Sequence, residues 1–173
     1  MPAPASAAVE LLLAERAVLQ TLYTYARTID NGNLQEWLDC FEPDARWLLR
    51  SSGGPVEWEH AGHDQLAKFF DWHSHAPQRL HLHLTGNVVP KVSLETGQAT
   101  VESYMVRLDR DAEERPYVFA FGKYHDTLRR GADGRWRFAI REVEYDAGPP
   151  SSALSSSAPG VSRVDAGRSP ATP

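Results

Sequence analysis

Leu22-Tyr23-Thr24-Tyr25-Ala26-Arg27-Thr28-Ile29-Asp30-Asn31-Gly32-Asn33 reads as the end of a helix whose last apolar position carries a charge. Val18, Leu22, Tyr25 and Ile29 follow i, i+4, i+7, i+11. Leu19, Tyr23, Ala26 and Asp30 repeat that spacing one step round. Together they predict a helix over 8–29 with a broad apolar stripe. Asp30 stands where the stripe calls for another apolar side chain. Asn31-Gly32-Asn33 then stops the helix, because Gly and Asn tolerate the left-handed cap.

A second short helix is expected from Leu34 to Phe41, ended by Glu42-Pro43-Asp44. Ala45 to Leu49 and Val56 to Glu59 read as strands of a hairpin around Ser51-Ser52-Gly53-Gly54-Pro55. His63 to Trp72 reads as a third helix that turns Leu66, Phe69 and Phe70 inward. Four long β-rich runs follow, at 80–92, 99–108, 117–128 and 136–145, joined by turns. Helices first and hairpin-linked strands after them imply an α+β domain with an antiparallel sheet. The domain is expected over 8–147, after a disordered Pro/Ala leader at 1–7. A Ser/Pro-rich tail at 148–173 lacks the apolar periodicity needed for a core.

Composition narrows the function. With 42% hydrophobic residues, five Trp, six Tyr and six Phe, the chain can fill a core and still line a cavity. A net charge of −5 with both signs interspersed provides no basic stripe for nucleic acid and no basic amphipathic helix for a membrane. The single cysteine, Cys40, excludes an intrachain disulfide and a thiolate zinc site, and its amphipathic setting predicts a buried thiol. Without a positive leader, a cytoplasmic protein is expected.

The quoted helix end, followed by Trp37 and Phe41-Glu42-Pro43-Asp44-Ala45, resembles the opening of SnoaL-like proteins of the nuclear-transport-factor-two-like superfamily. Gly122 to Arg130, then Asp133-Gly134-Arg135-Trp136-Arg137-Phe138 and Arg141, resembles its closing hairpin. The resemblance implies a cone: a strongly curved antiparallel sheet, a cystatin-like α+β barrel, with three N-terminal helices on its concave face around a cavity. It implies a cofactor-independent lyase of the dehydratase type, or an isomerase or cyclase using the same pocket, commonly a homotrimer or dimer. Its shared device is an Asp at the end of the first helix paired with a strand His. Asp30 matches that Asp, His83 is the best match to the His with His81 behind it, and Tyr25 matches a cavity Tyr. Two branches of the superfamily fit less well. Leu49 falls where ketosteroid isomerases carry their base, and the Ser-Arg-Thr run expected of a ring-hydroxylating dioxygenase β subunit is missing.

An Asp–His pair suits proton transfer, because the carboxylate fixes the imidazole tautomer and stabilises its cation. Asp30, His83, Tyr25 and His81 are therefore the expected catalytic set. Trp47, Tyr104, Phe119, Phe121 and His125 are expected to line the pocket and bind a hydrophobic, aromatic or polycyclic small molecule. A ligand-binding module or an oxygenase β subunit is the non-catalytic alternative. Seven histidines raise the question of a metal. No metal is expected, since His60, His63, His73 and His75 flank what reads as a surface helix and no carboxylate stands at ligand spacing on 80–92. Arg129, Arg130 and Arg141 are expected in solvent or at a subunit contact.

Overall fold

The computed structural model describes residues 4–146, so the expected tail lies outside the described residues. Helix α1 spans Pro4–Asn31, reaching into the expected leader, and α2 spans Leu34–Leu38. Strands β1 (Phe41–Ser51) and β2 (Val56–Ala61), helix α3 (Gly62–Trp72) and strands β3 (Leu82–Ser93), β4 (Gln98–Arg110), β5 (Pro116–Arg130) and β6 (Trp136–Asp146) follow. Gly32, at φ +73°, turns the chain out of α1. Asn33 then starts α2, its side-chain oxygen accepting the Glu36 N–H at 3.2 Å.

The six strands form one curved sheet in the order β2-β1-β6-β5-β4-β3. All neighbours are antiparallel except β1 and β6, which run parallel. The antiparallel expectation fails at that pair, because β1 and β6 are joined through the whole intervening fold rather than by a hairpin. The sheet is open, with β2 and β3 at its edges. The curved-sheet α+β architecture is as expected.

One face of the sheet is covered by the helices. Val18, Leu22, Tyr25 and Ile29 of α1, Trp37 of α2, and Leu66, Phe69 and Phe70 of α3 pack against Phe41, Trp47, Val101, Met105, Tyr124, Leu128 and Phe138. Trp37 is fully buried within 6.1 Å of the rings of Tyr25, Phe41, Phe69 and Phe70. Cys40 is buried as expected, and desolvation pushes its thiol up to about 12, so it is an inert core residue. Among the described residues, no helix is long and apolar enough to cross a membrane.

Close strand packing fixes Gly122. A Cβ there would overlap the Glu144 carbonyl oxygen and lie 2.7 Å from the Tyr145 Cα. Both atoms belong to the main chain of the neighbouring strand, so they cannot swing away. Gly122→Ala is expected to cost about 3 kcal/mol in urea unfolding. An unchanged midpoint would show that β5 and β6 separate easily there.

Candidate active site

The end of α1 and the start of β3 meet at Asp30. His83 donates twice to this carboxylate: its ring Nδ1–H to Oδ1 at 2.6 Å and its backbone N–H to Oδ2 at 2.9 Å. Two bonds from one residue lock the carboxylate against the imidazole and fix the proton on Nδ1. Nε2 then carries the lone pair and has no hydrogen-bond partner among the described residues. His75 helps hold the Asp30 end of α1, its ring nitrogens facing the carbonyls of Ile29 at 2.5 Å and Phe70 at 2.8 Å.

His81 lies just before β3 and is fully buried. Its Nε2 is 3.5 Å from Asp30 Oδ1, and both ring nitrogens lack a hydrogen-bond partner. Burial, with Arg107 adding to it, pushes its pKa down to about 4, so it is neutral at neutral pH. Burial also lowers the pKa of His83, opposed by the hydrogen bond to Asp30. His83 is therefore a neutral base at neutral pH.

A cavity of about 110 Å³ opens beside this pair. His83 lines it; Asp30 and His81 do not, and stand behind. Its wall is largely aromatic, with Tyr25, Trp47, Trp58, Phe69, Phe119 and Tyr124. Tyr25 is buried, accepts the Trp47 indole N–H at 3.2 Å and lies under the Arg141 guanidinium, 3.9 Å from the ring centre. Burial raises its hydroxyl well above the usual tyrosine range, so it stays protonated as a donor.

Three expected lining residues are elsewhere. Tyr104 is 54% exposed and Phe121 47% exposed, both on the sheet's outer face, and His125 faces Glu144 at 3.5 Å on that side. The inward positions of β4 are Val101, Ser103, Met105 and Arg107, so alternation turns Tyr104 out. On β5 a bulge intervenes: Arg107 pairs with Ala120 but Leu108 pairs with Val118. The extra residue shifts the phase, bringing Phe119 inward and leaving Phe121, Lys123 and His125 outward.

The wall also holds Arg107, to which the sequence reading gave no place, and His73, which it set beside a surface helix. Arg107 is the cross-strand partner of His83 and lines the cavity beside His73. His73 closes α3 and is buried. Its Nδ1–H donates to the Ser74 carbonyl at 2.8 Å, and desolvation holds its pKa well below the usual histidine range. Its ring lies 5.5 Å from that of His83. His60 is likewise buried, between Trp47 and Phe69, so α3 covers the cavity rather than lying free on the surface. Arg141 is wholly buried beneath the cavity floor, 3.5 Å from Asp126.

The carboxylate missing from strand 80–92 arrives from α1. One ligand atom each from Asp30, His81 and His83 lies within 4.8 Å of the others, so the three could also hold a divalent cation in place of the shared proton.

Residues 10–142 match the family described as SnoaL-like domain. No curated protein matches the chain. Among solved structures, it is similar to Rv3472 from Mycobacterium tuberculosis, a protein of unknown function. They share 23% identity and a TM-score of 0.70, over 87% of this chain and 80% of that one. It is similar to the beta subunit of a candidate aromatic-ring-hydroxylating dioxygenase from Novosphingobium aromaticivorans (19% identity, TM-score 0.68, 79% of this chain and 92% of that one). It is similar to a candidate scytalone dehydratase from the same organism (22% identity, TM-score 0.63, 79% and 86%). At these identities the structures bear on the fold alone. The family match covers most of the domain, from the second turn of α1 into β6, and the chain belongs to the SnoaL-like family.

Proposed function

We propose that the chain is a cofactor-independent acid/base enzyme, a dehydratase-type lyase acting on a hydrophobic, aromatic or polycyclic small molecule. The observation that carries this reading is the order Asp30, His83, cavity, with the Nδ1–H bond at 2.6 Å on one side of the ring and Nε2 free on the other. His83 Nε2 removes a proton from carbon, and Asp30 stabilises the imidazolium. The C–H electron pair forms the double bond as the C–O bond breaks. The departing hydroxide takes the proton back from His83 and leaves as water, while the neutral Tyr25 hydroxyl hydrogen-bonds the departing oxygen. An isomerase or cyclase would use the same first step and return the proton to the product.

A second reading has its own support. The sheet's outer face exposes Leu82, Leu84, Tyr104, Val118 and Phe121, an apolar surface suited to association. A homo-oligomer or a subunit role would cover it, and the likeness in fold to a candidate dioxygenase beta subunit supports that reading. A cavity wall built around an ordered base favours the enzyme, which can also self-associate.

Proton exchange tests the reading without a known substrate. In deuterated buffer the protein is expected to speed loss of the benzylic proton signal of phenylacetone, with no effect of EDTA. Asp30→Asn, which removes the tautomer lock, is expected to slow this exchange about 100-fold. Equal exchange by wild type and Asp30→Asn, with the probe shown to bind, would end the proposal.

A further inference from the structure

We infer that Arg107 is the oxyanion-binding residue of this cavity. The molecule that His83 deprotonates would carry a carbonyl or carboxylate oxygen that rests on the Arg107 guanidinium. This deepens the proton-abstraction reading and rests on it for the identity of the base.

Four observations carry the inference. The first is placement: Arg107 and His83 face each other across β4 and β3, and both line the cavity. A C–H directed at His83 Nε2 therefore has its neighbouring oxygen within reach of Arg107. The second is orientation. The guanidinium lies over the Phe119 ring, 4.4 Å from its centre, which holds the plane of the fork.

The third is unspent hydrogen-bonding capacity. One terminal nitrogen donates to Asp109 at 3.1 Å, and the other reaches His73 Nε2 only at 3.5 Å. Nε is buried without a partner. A guanidinium only 19% exposed, with donors this poorly used, is costly unless something else takes them up. The fourth is charge. Asp109 is shared, its Oδ1 accepting from Arg79 at 2.9 Å and its Oδ2 from Arg107. One carboxylate between two guanidiniums leaves a positive charge over, and Arg107 is the one that faces the cavity. The carboxylate of Asp30 stands behind His83 and does not line the space, so it does not shut out an anion.

The chemistry fits together. As His83 takes a proton α to a carbonyl, negative charge develops on the carbonyl oxygen. A fixed cation at that oxygen in an apolar cavity stabilises the enolate more than the ketone. The substrate class is then an aromatic or alicyclic body carrying a carbonyl or carboxylate next to the acidic carbon. The body packs on Trp47, Phe69 and Phe119, and the oxygen on Arg107.

Phenylacetate and phenylacetamide, which share shape but differ in charge, test this by calorimetry or by quenching of the lining tryptophans Trp47, Trp58 and Trp72. Wild type is expected to bind phenylacetate about 10- to 100-fold more tightly than phenylacetamide. Arg107→Gln is expected to bind the two alike, losing most of its affinity for phenylacetate. Arg107→Lys is expected to keep part of the preference. His83→Gln is expected to keep the full preference while losing proton exchange, so failure of the base and failure of the anion site read out separately. A wild-type preference below about threefold would overturn the inference. So would a preference that survives in folded Arg107→Gln, or one lost in His83→Gln.

Discussion

His83→Gln is expected to lower turnover, or proton exchange into phenylacetone, by about 10³- to 10⁴-fold while the protein stays folded. Glutamine keeps an N–H that can reach the Asp30 carboxylate, so the tie between α1 and β3 survives. What it lacks is a nitrogen lone pair facing the cavity. His81→Gln is the matching control, since His81 touches the same carboxylate but does not line the cavity. Its loss is expected to stay within about tenfold.

The pH profile gives a second reading of the same group. His83 faces Asp30 from α1, His73 from the end of α3, its neighbour His81, Arg107 from β4 and Arg141 from β6. Burial is the largest influence and lowers its pKa below 6.5, with Arg107 and Arg141 pulling the same way and Asp30 opposing. The base form is the active one. Activity is therefore expected to rise with pH through an apparent value below 6.5 and to be level at neutral pH. Asp30→Asn removes the opposing interaction, so the acid limb of the remaining activity is expected to move to lower pH. A folded His83→Gln protein turning over within tenfold of wild type would remove the dyad from the mechanism, and so would an acid limb unmoved in Asp30→Asn.

Asp30 was legible from the chain because it broke a rule: a carboxylate ended an apolar stripe. Such a breach has few physical excuses, and a partner across the fold is one of them. The phase of the strands was harder to read. On β4 the inward set is Val101, Ser103, Met105 and Arg107, while Tyr104 points out beside Leu84 and Phe121. With apolar residues on both faces, hydrophobicity alone does not say which face is the core. The bulge at Phe119 then reversed the phase within β5, and nothing in Tyr117 to Lys123 announces it. His73 and Arg141 read as surface residues because charged and polar side chains usually are, and Arg107 was given no place. Arg107 did carry a signal, since it continues the period of Val101, Ser103 and Met105. Arg141 shares the period of Val143, and its burial follows only once α1 is known to lie over β6. Both depend on which helix covers which strand, which local spacing does not encode.

Arg141→Met is expected to destabilise the fold by about 3–5 kcal/mol, and the loss should be largest in alkaline solution. Arg141 and Asp126 are both fully buried and 3.5 Å apart. None of the three guanidinium nitrogens and neither carboxylate oxygen has a hydrogen-bond partner among the described residues. The cation is held mainly by rings, its carbon 3.7 Å from the centre of Tyr124, 3.9 Å from Tyr25 and 4.6 Å from Phe138. Burial pushes the Asp126 carboxyl up to about 7, against the pull of Arg141. A carboxyl raised above its unfolded value contributes stability at low pH that is lost as pH rises through the folded value. Removing Arg141 raises that value further, so the variant keeps losing stability above pH 7, after wild type has levelled. Between about pH 4 and 6.5 the buried histidines His60, His73 and His81 destabilise both proteins, since each is held below the usual range, while His83, which Arg141 also pulls down, does so less in the variant. Above pH 7 all four are neutral in both proteins, so the difference there isolates the pair. Urea unfolding at pH 5 and pH 8 should show the larger gap at pH 8. Adding Asp126→Leu to Arg141→Met should restore most of the loss, because two apolar residues leave no buried charge behind. An equal gap at both pH values, with no rescue by the second change, would mean that the rings and not the ion pair hold Arg141 in place. The Tyr25 hydroxyl would then owe its position in the cavity wall to packing alone.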